Sequence, residues 1–152
     1  MKLAEALQIR ADLQTRVAQM PVRLRNNAVV QEGSVPAENP IELMAELDTL
    51  LDRLARVTVR INLTNAAAFD DKGRSMTQLL AERDSLRRQI EIYRNFADAA
   101  ADIAPRRSLT EIRVISTVSV PELRKKCDTI SKRLREIELK IQELNWTIEL
   151  EA

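Results

Sequence analysis

Residues 119–146 read SVPELRKKCDTISKRLREIELKIQELNW. Leu123, Cys127, Ile130, Leu134, Ile137, Ile141 and Leu144 recur in steps of four and three. That spacing puts one narrow apolar seam on a long helix and leaves its Lys, Arg and Glu side chains to solvent. Ser119 and Glu122 form a capping box that opens it. Such a seam has to be covered by other helices, so the chain is read outward from it as a mainly α protein.

The composition agrees. At 152 residues the chain fits one domain that buries about 70% of its unfolded surface. It is 45% hydrophobic but only 3% aromatic and has two glycines, which suits helices and disfavours an all-β fold. A formal charge of +1 supplies no overall field toward nucleic acid or anionic lipid. Cys127 is the single cysteine, so no internal disulfide is expected. It lies on the seam and reads as a small buried hydrophobe, since a chain without histidine lacks the usual base for a thiol nucleophile. The first residues, MKLAEALQ, show no signal-peptide core, and no stretch is long and apolar enough to span a bilayer. The expectation is a cytoplasmic protein with no membrane partner.

Three further helices complete the pattern. The first covers residues 2–28, with Leu3, Leu7, Leu13, Val17, Met20 and Leu24 mostly on one face and Pro21 predicted to bend it near residues 18–20. The second covers residues 40–67. It opens on Asn39, Pro40 and Glu42, a cap with proline at the first helical position, and carries Leu43, Leu47, Leu50, Leu54, Val57 and Ile61. Met44 and Leu51 widen that seam toward a second neighbour or subunit. Residues 69–74 form a solvated turn. The capping box at Ser75 and Gln78 starts the third helix, to about residue 103. Two β-prone runs, residues 29–33 and 110–118, fall in the connections and are expected to pair as a small β-ribbon.

The chain also resembles itself. Shifted by 80 positions, Glu42, Leu43, Asp48, Thr49, Arg53, Leu54, Ile61 and Asn65 meet identical residues in the fourth helix. Shifted by 73, Leu7, Arg10 and Leu13 meet Leu80, Arg83 and Leu86. A shared apolar seam does not explain the matched polar residues. The reading is one domain, residues 1–152, built as an internal repeat of two helical hairpins, residues 2–67 and 75–146. Its expected form is a four-helix bundle with the ribbon at one end.

No chemistry stands out. Without histidine the di-iron bundle pattern is closed, and no cofactor or metal site is expected. No glycine-rich phosphate loop or nucleophile elbow occurs, so the chain is read as non-enzymatic. Basic pairs raise nucleic-acid binding as an alternative, with Arg106 and Arg107 in the long connection the best local phosphate contacts. Interleaved acids and the scarcity of aromatics argue against it. The favoured function is a scaffold or protein-interaction role as a homo-oligomer, with Trp146 and Ile148 as candidate interface anchors.

Several segments together carry a family resemblance: NNA at residues 26–28 followed by VQEG at 30–33, RINLTN at 60–65, ISTV at 115–118 and IQELNW at 141–146. The set resembles the septicolysin-like family of small bacterial proteins, which carries a domain of unknown function. Pro21 departs from the continuous first helix that the resemblance implies. The residues to watch as a shared motif are Asn27, Gln31, Glu32, Asn62, Asn65, Asn145 and Trp146. Asn65 and Asn145 fall at equivalent helix ends, where a C-cap role is the simpler account. The family name implies a pore-forming cytolysin. The missing secretion signal and spanning segment place that reading below the other two.

Overall fold

The computed structural model describes residues 1–103 and 113–151. Four helices follow one another: α1 (Leu3–Asn26), α2 (Pro40–Ala67), α3 (Met76–Ala101) and α4 (Val120–Thr147). They fall into two compact units, one of Met1–Phe69 with Leu144–Ala152, the other of Asp70–Glu143.

In the first unit, α1 packs on α2. The Lys2 N–H donates to Glu5 Oε2 at 2.7 Å and starts α1. The helix runs through Pro21 as one element to Asn26. Leu3, Ala6, Leu13 and Met20 are buried on α1, and Leu43, Leu50, Val57 and Ile61 on α2. Asn39 caps α2 by accepting the Ile41 N–H at 3.0 Å, with Pro40 at the first helical position.

The end of α4 closes this unit. Residues 148–151 leave the helix extended and lie antiparallel to the N-terminus, with Lys2 bridged to Glu149. Leu3 N–H donates to the Ile148 carbonyl at 3.0 Å, and Leu150 N–H to that of Met1 at 2.9 Å. Leu150 is buried beneath them. Thr64, 1% exposed, takes the Glu151 N–H on its hydroxyl at 3.0 Å and donates that hydroxyl to the Arg60 carbonyl at 2.8 Å.

In the second unit, α3 opens on a capping box. Ser75 Oγ accepts the Gln78 N–H, and Gln78 Oε1 accepts the Ser75 N–H. Ser119 Oγ accepts the Glu122 N–H at 3.4 Å to start α4. The two helices run antiparallel, tied by Arg124–Asp98 at 3.0 Å and Arg87–Glu138 at 2.6 Å. Leu79, Leu86, Ile90 and Ala97 are buried on α3, and Cys127, Ile130 and Ile137 on α4. Leu134, placed in the seam with them, is only half-buried.

The 80-residue offset also relates structural details. Helices α2 and α4 are both 28 residues long and begin 80 positions apart. Thr49 donates its hydroxyl to the Ala45 carbonyl, and Thr129 donates to that of Lys125. The 2.9 Å bond from Leu150 N–H to Met1 has a counterpart in Asp70 N–H to the Arg74 carbonyl, also 2.9 Å.

The β-ribbon is not formed, and the described residues hold no sheet. Residues 29–30 are irregular, and residues 31–34 make a turn closed by Ser34 N–H on the Gln31 carbonyl at 2.9 Å, with Gly33 at a φ of +84°. Of the second run, residues 110–112 lie outside the described residues and 113–118 are not a strand. Val29, Val114 and Ile115 are each more than half exposed. β-Branched residues stabilise a strand through neighbours on its face, and these have none to pack on. The Ser116 hydroxyl bonds the Val118 backbone instead, a local alternative to a ladder.

Candidate functional site

The motif residues do not converge. Asn27 is buried at the end of α1. Its amide donates to the Arg23 carbonyl at 2.9 Å, and its oxygen accepts the Glu38 N–H at 2.9 Å. Arg23 beside it holds Glu38 through two nitrogens, at 3.2 and 2.6 Å, and reaches Glu46 of α2 at 3.1 Å. Hydrogen bonding from Arg23 draws the Glu38 carboxyl below its ordinary range. This cluster straps the α1–α2 connection to both helices. Gln31 and Glu32 are exposed in the turn beyond it.

Asn62 and Asn65 lie at the opposite end of α2, roughly 36 Å along the helix from Asn39 at 1.5 Å per residue. Asn62 is exposed, while Asn65 and Asn145 are half-buried. Neither Asn65 nor Asn145 caps its helix by the left-handed route. Among the described residues no non-glycine has a positive φ, and Ala68 closes α2 by donating its N–H to the Thr64 carbonyl at 2.8 Å. Trp146 is 67% exposed and borders a shallow groove with Met1, Ala4, Glu5, Gln8 and Ile9. Arg106 and Arg107 lie outside the described residues.

Sequence reasoning missed two structural polar centres. The Asp70 side chain is fully buried and accepts the Lys72 N–H at 3.0 Å, the Arg74 N–H at 2.8 Å and the Arg74 guanidinium at 2.9 and 2.8 Å. Burial alone pushes its carboxyl up, but these donors outweigh it and hold the group below its usual range. Arg74 continues to Glu82, which also meets Arg133 of α4. A glycine three positions after an aspartate in a short turn was the available signal for a side chain folded over its own loop. The second centre is Glu149, held by the Lys2 ammonium at 2.8 Å and the Met1 amine at 2.9 Å. Those two cations hold its carboxyl down at about 2.

Among the described residues no group of three or more His, Cys, Asp or Glu is placed to hold a metal ion. No described helix is long and apolar enough to cross a membrane. The conspicuous surface of the first unit is the outer face of α2. Ile41, Met44, Leu51, Val59 and Leu63 point away from the buried seam and are exposed by between 45% (Leu51) and 72% (Ile41). Asp48, Asp52 and Arg56 share that face, and Arg56 pairs with Asp52.

A family model described as a family of unknown function (DUF6847) matches residues 10–150. The chain is similar to a solved crystal structure, a functionally unknown conserved protein from Corynebacterium diphtheriae. The two are 38% identical over 99% of each chain, with a TM-score of 0.91. No curated protein matches the chain. Since the family model spans nearly its whole length, the chain belongs to this family of unknown function, DUF6847.

Proposed function

We propose that the protein is a non-enzymatic cytoplasmic scaffold that binds a second copy of itself through the outer face of α2. The observation that carries this reading is the exposed row Ile41, Met44, Leu51, Val59 and Leu63 on one helix face. A two-fold contact sets residue i against residue j and j against i. Two antiparallel copies of α2 centred near residues 51–52 satisfy that condition. Ile41 then faces Leu63 of the other copy, Met44 faces Val59, Leu51 lies at the axis and Asp48 faces Arg56. Light scattering coupled to gel filtration tests the reading. The wild type is expected to elute as a dimer, and the double variant Leu51→Lys, Val59→Lys as a monomer with unchanged helicity. A wild type that stays monomeric up to millimolar concentration refutes it.

Nucleic-acid binding is the alternative. The second unit supports it, with 16 basic against 13 acidic residues in sequence positions 70–143, whereas the first has 8 against 10. A mobility shift that weakens steeply with salt is the signature to seek. The resemblance to the septicolysin-like family rests on the motif segments. The pore-forming activity its name implies is tested by dye leakage from liposomes, where we expect none.

A further inference from the structure

We infer that the groove between α3 and α4 of the second unit is a binding site for a small phosphate monoester with an apolar body. The groove is open to solvent and offers about 420 Å³, a volume within the range of small-molecule sites. Buried Ile90 and half-buried Leu134 line it, with Arg87 and Arg94 coming from α3 and Arg135 and Ser131 from α4.

The arginines differ in how they are held. Arg87 is anchored, donating from two nitrogens to Glu138 Oε1 at 3.1 and 2.6 Å. Arg94 reaches only the Ser131 hydroxyl among the described residues, at 3.4 Å. Among the described residues neither Arg94 nor Arg135 has a carboxylate within ion-pair distance; Arg88, Lys125 and Lys132 of the same unit share that condition, but only Arg94 and Arg135 of these line the groove. Glu91 is the one carboxylate among the lining residues. With Glu138 neutralising Arg87, and Glu91 set against Arg94 and Arg135, one net positive charge remains. Two guanidinium groups from opposite walls, the Ser131 hydroxyl and the Asn95 amide bring more donors than the two oxygens of a carboxylate engage. The three terminal oxygens of a phosphate monoester match them better. The apolar lining then takes the body of the ligand rather than the head. The site lies wholly in the second unit, so it is independent of the α2 contact proposed above.

Phenyl phosphate is a suitable probe, followed by ¹H–¹⁵N NMR with the arginine Nε–H signals resolved. The expected result is a saturable shift at Arg94, Arg135 and the amides of residues 90–95 and 131–135. Combined Arg94→Ala and Arg135→Ala should weaken binding at least about tenfold, the scale of a lost charge-assisted hydrogen bond. Circular dichroism verifies that this variant is folded. Arg53→Ala, which removes a cation of the first unit, should leave binding unchanged. The inference is overturned if no saturable shift occurs at the groove, or if Arg53→Ala weakens binding as much as the pair. Equal binding by phenol shows an apolar groove only, and equal binding by inorganic phosphate shows that the lining contributes nothing. Either result also overturns it, as does binding of a single-stranded oligonucleotide at these arginines without any of phenyl phosphate.

Discussion

Asn27→Ala separates a structural residue from a functional one. Asn27 is 6% exposed and makes two bonds of 2.9 Å, one to the Arg23 carbonyl and one from the Glu38 N–H. Each such bond contributes about 1 kcal/mol net. Glu38 is half-buried, so its freed N–H is partly rehydrated, and the further penalty sits at the low end of the scale for an unpaired group. The loss is therefore about 2–3 kcal/mol, or roughly 5–10 °C in melting temperature for a chain of this size. Urea unfolding followed by far-UV circular dichroism measures it. Trp146 is unsuitable as a reporter because it is mostly exposed already. Hydrogen exchange at the Glu38 amide should accelerate in the variant, since that proton loses its acceptor. Asn26→Ala, one residue earlier and exposed, is the control and should cost little. If Asn27→Ala lies within about 0.5 kcal/mol of wild type, or costs no more than Asn26→Ala, the clamp reasoning is wrong.

Stability should fall on acidification through the Glu149 contact. Its folded carboxyl is held at about 2 by Lys2 and the Met1 amine, below its ordinary 4.5. Its contribution is thus fully present above about pH 4.5 and is lost as pH falls toward 2. A melting curve against pH should be flatter in Glu149→Gln, and high salt should shrink the difference because the pair is exposed. A variant that tracks wild type across that window would remove Glu149 from the account. Gly73→Ala should cost about 1–2 kcal/mol, since Gly73 sits at a φ of +76° while a Cβ there would meet nothing within 4 Å. Gly73→Asn should recover part of that loss, and equal melting temperatures for all three proteins would contradict it. Ile61→Ala, at a fully buried site on α2, should cost about 2–5 kcal/mol, whereas Leu51→Ala on the outer face should leave the intrinsic stability of the protomer nearly unchanged. Comparable losses at both, measured at a concentration where the protein is monomeric, would show that the outer face is covered within one chain.

Local chemistry accounts for what the residues announced in advance. The start of α2 was legible because Asn39 and Pro40 state a cap in adjacent positions, and α3 because Ser75 and Gln78 do the same. The buried positions Leu50, Val57 and Ile61 of α2, like Ile130, Ile137 and Ile141 of α4, follow directly from helical spacing. The β-prone runs misled for the complementary reason. Val29, Val30, Val114 and Ile115 have the side chains of a strand, but a strand exists only with a partner, and composition does not name one. The motif asparagines were legible as a set but not as separate places. Asn27 and Asn62 stand near opposite ends of a helix of 28 residues, which no reading of either segment alone reveals.

The amino-acid sequence by itself determined the four helices, the N-caps of α2, α3 and α4 and the faces the helices bury, because those depend on residues three or four apart. Only the tertiary structure decided which polar groups matter. Lys2 with Glu149 and Thr64 with Glu151 join residues 147 and 87 positions apart, and Asp70 is buried in a turn whose letters read as solvated. Tertiary packing likewise left one face of α2 apolar and exposed and brought Arg94 and Arg135 from two helices to the lining of one groove. Such pairings and vacancies depend on which surfaces the packed chain brings together, and a local pattern carries no record of that.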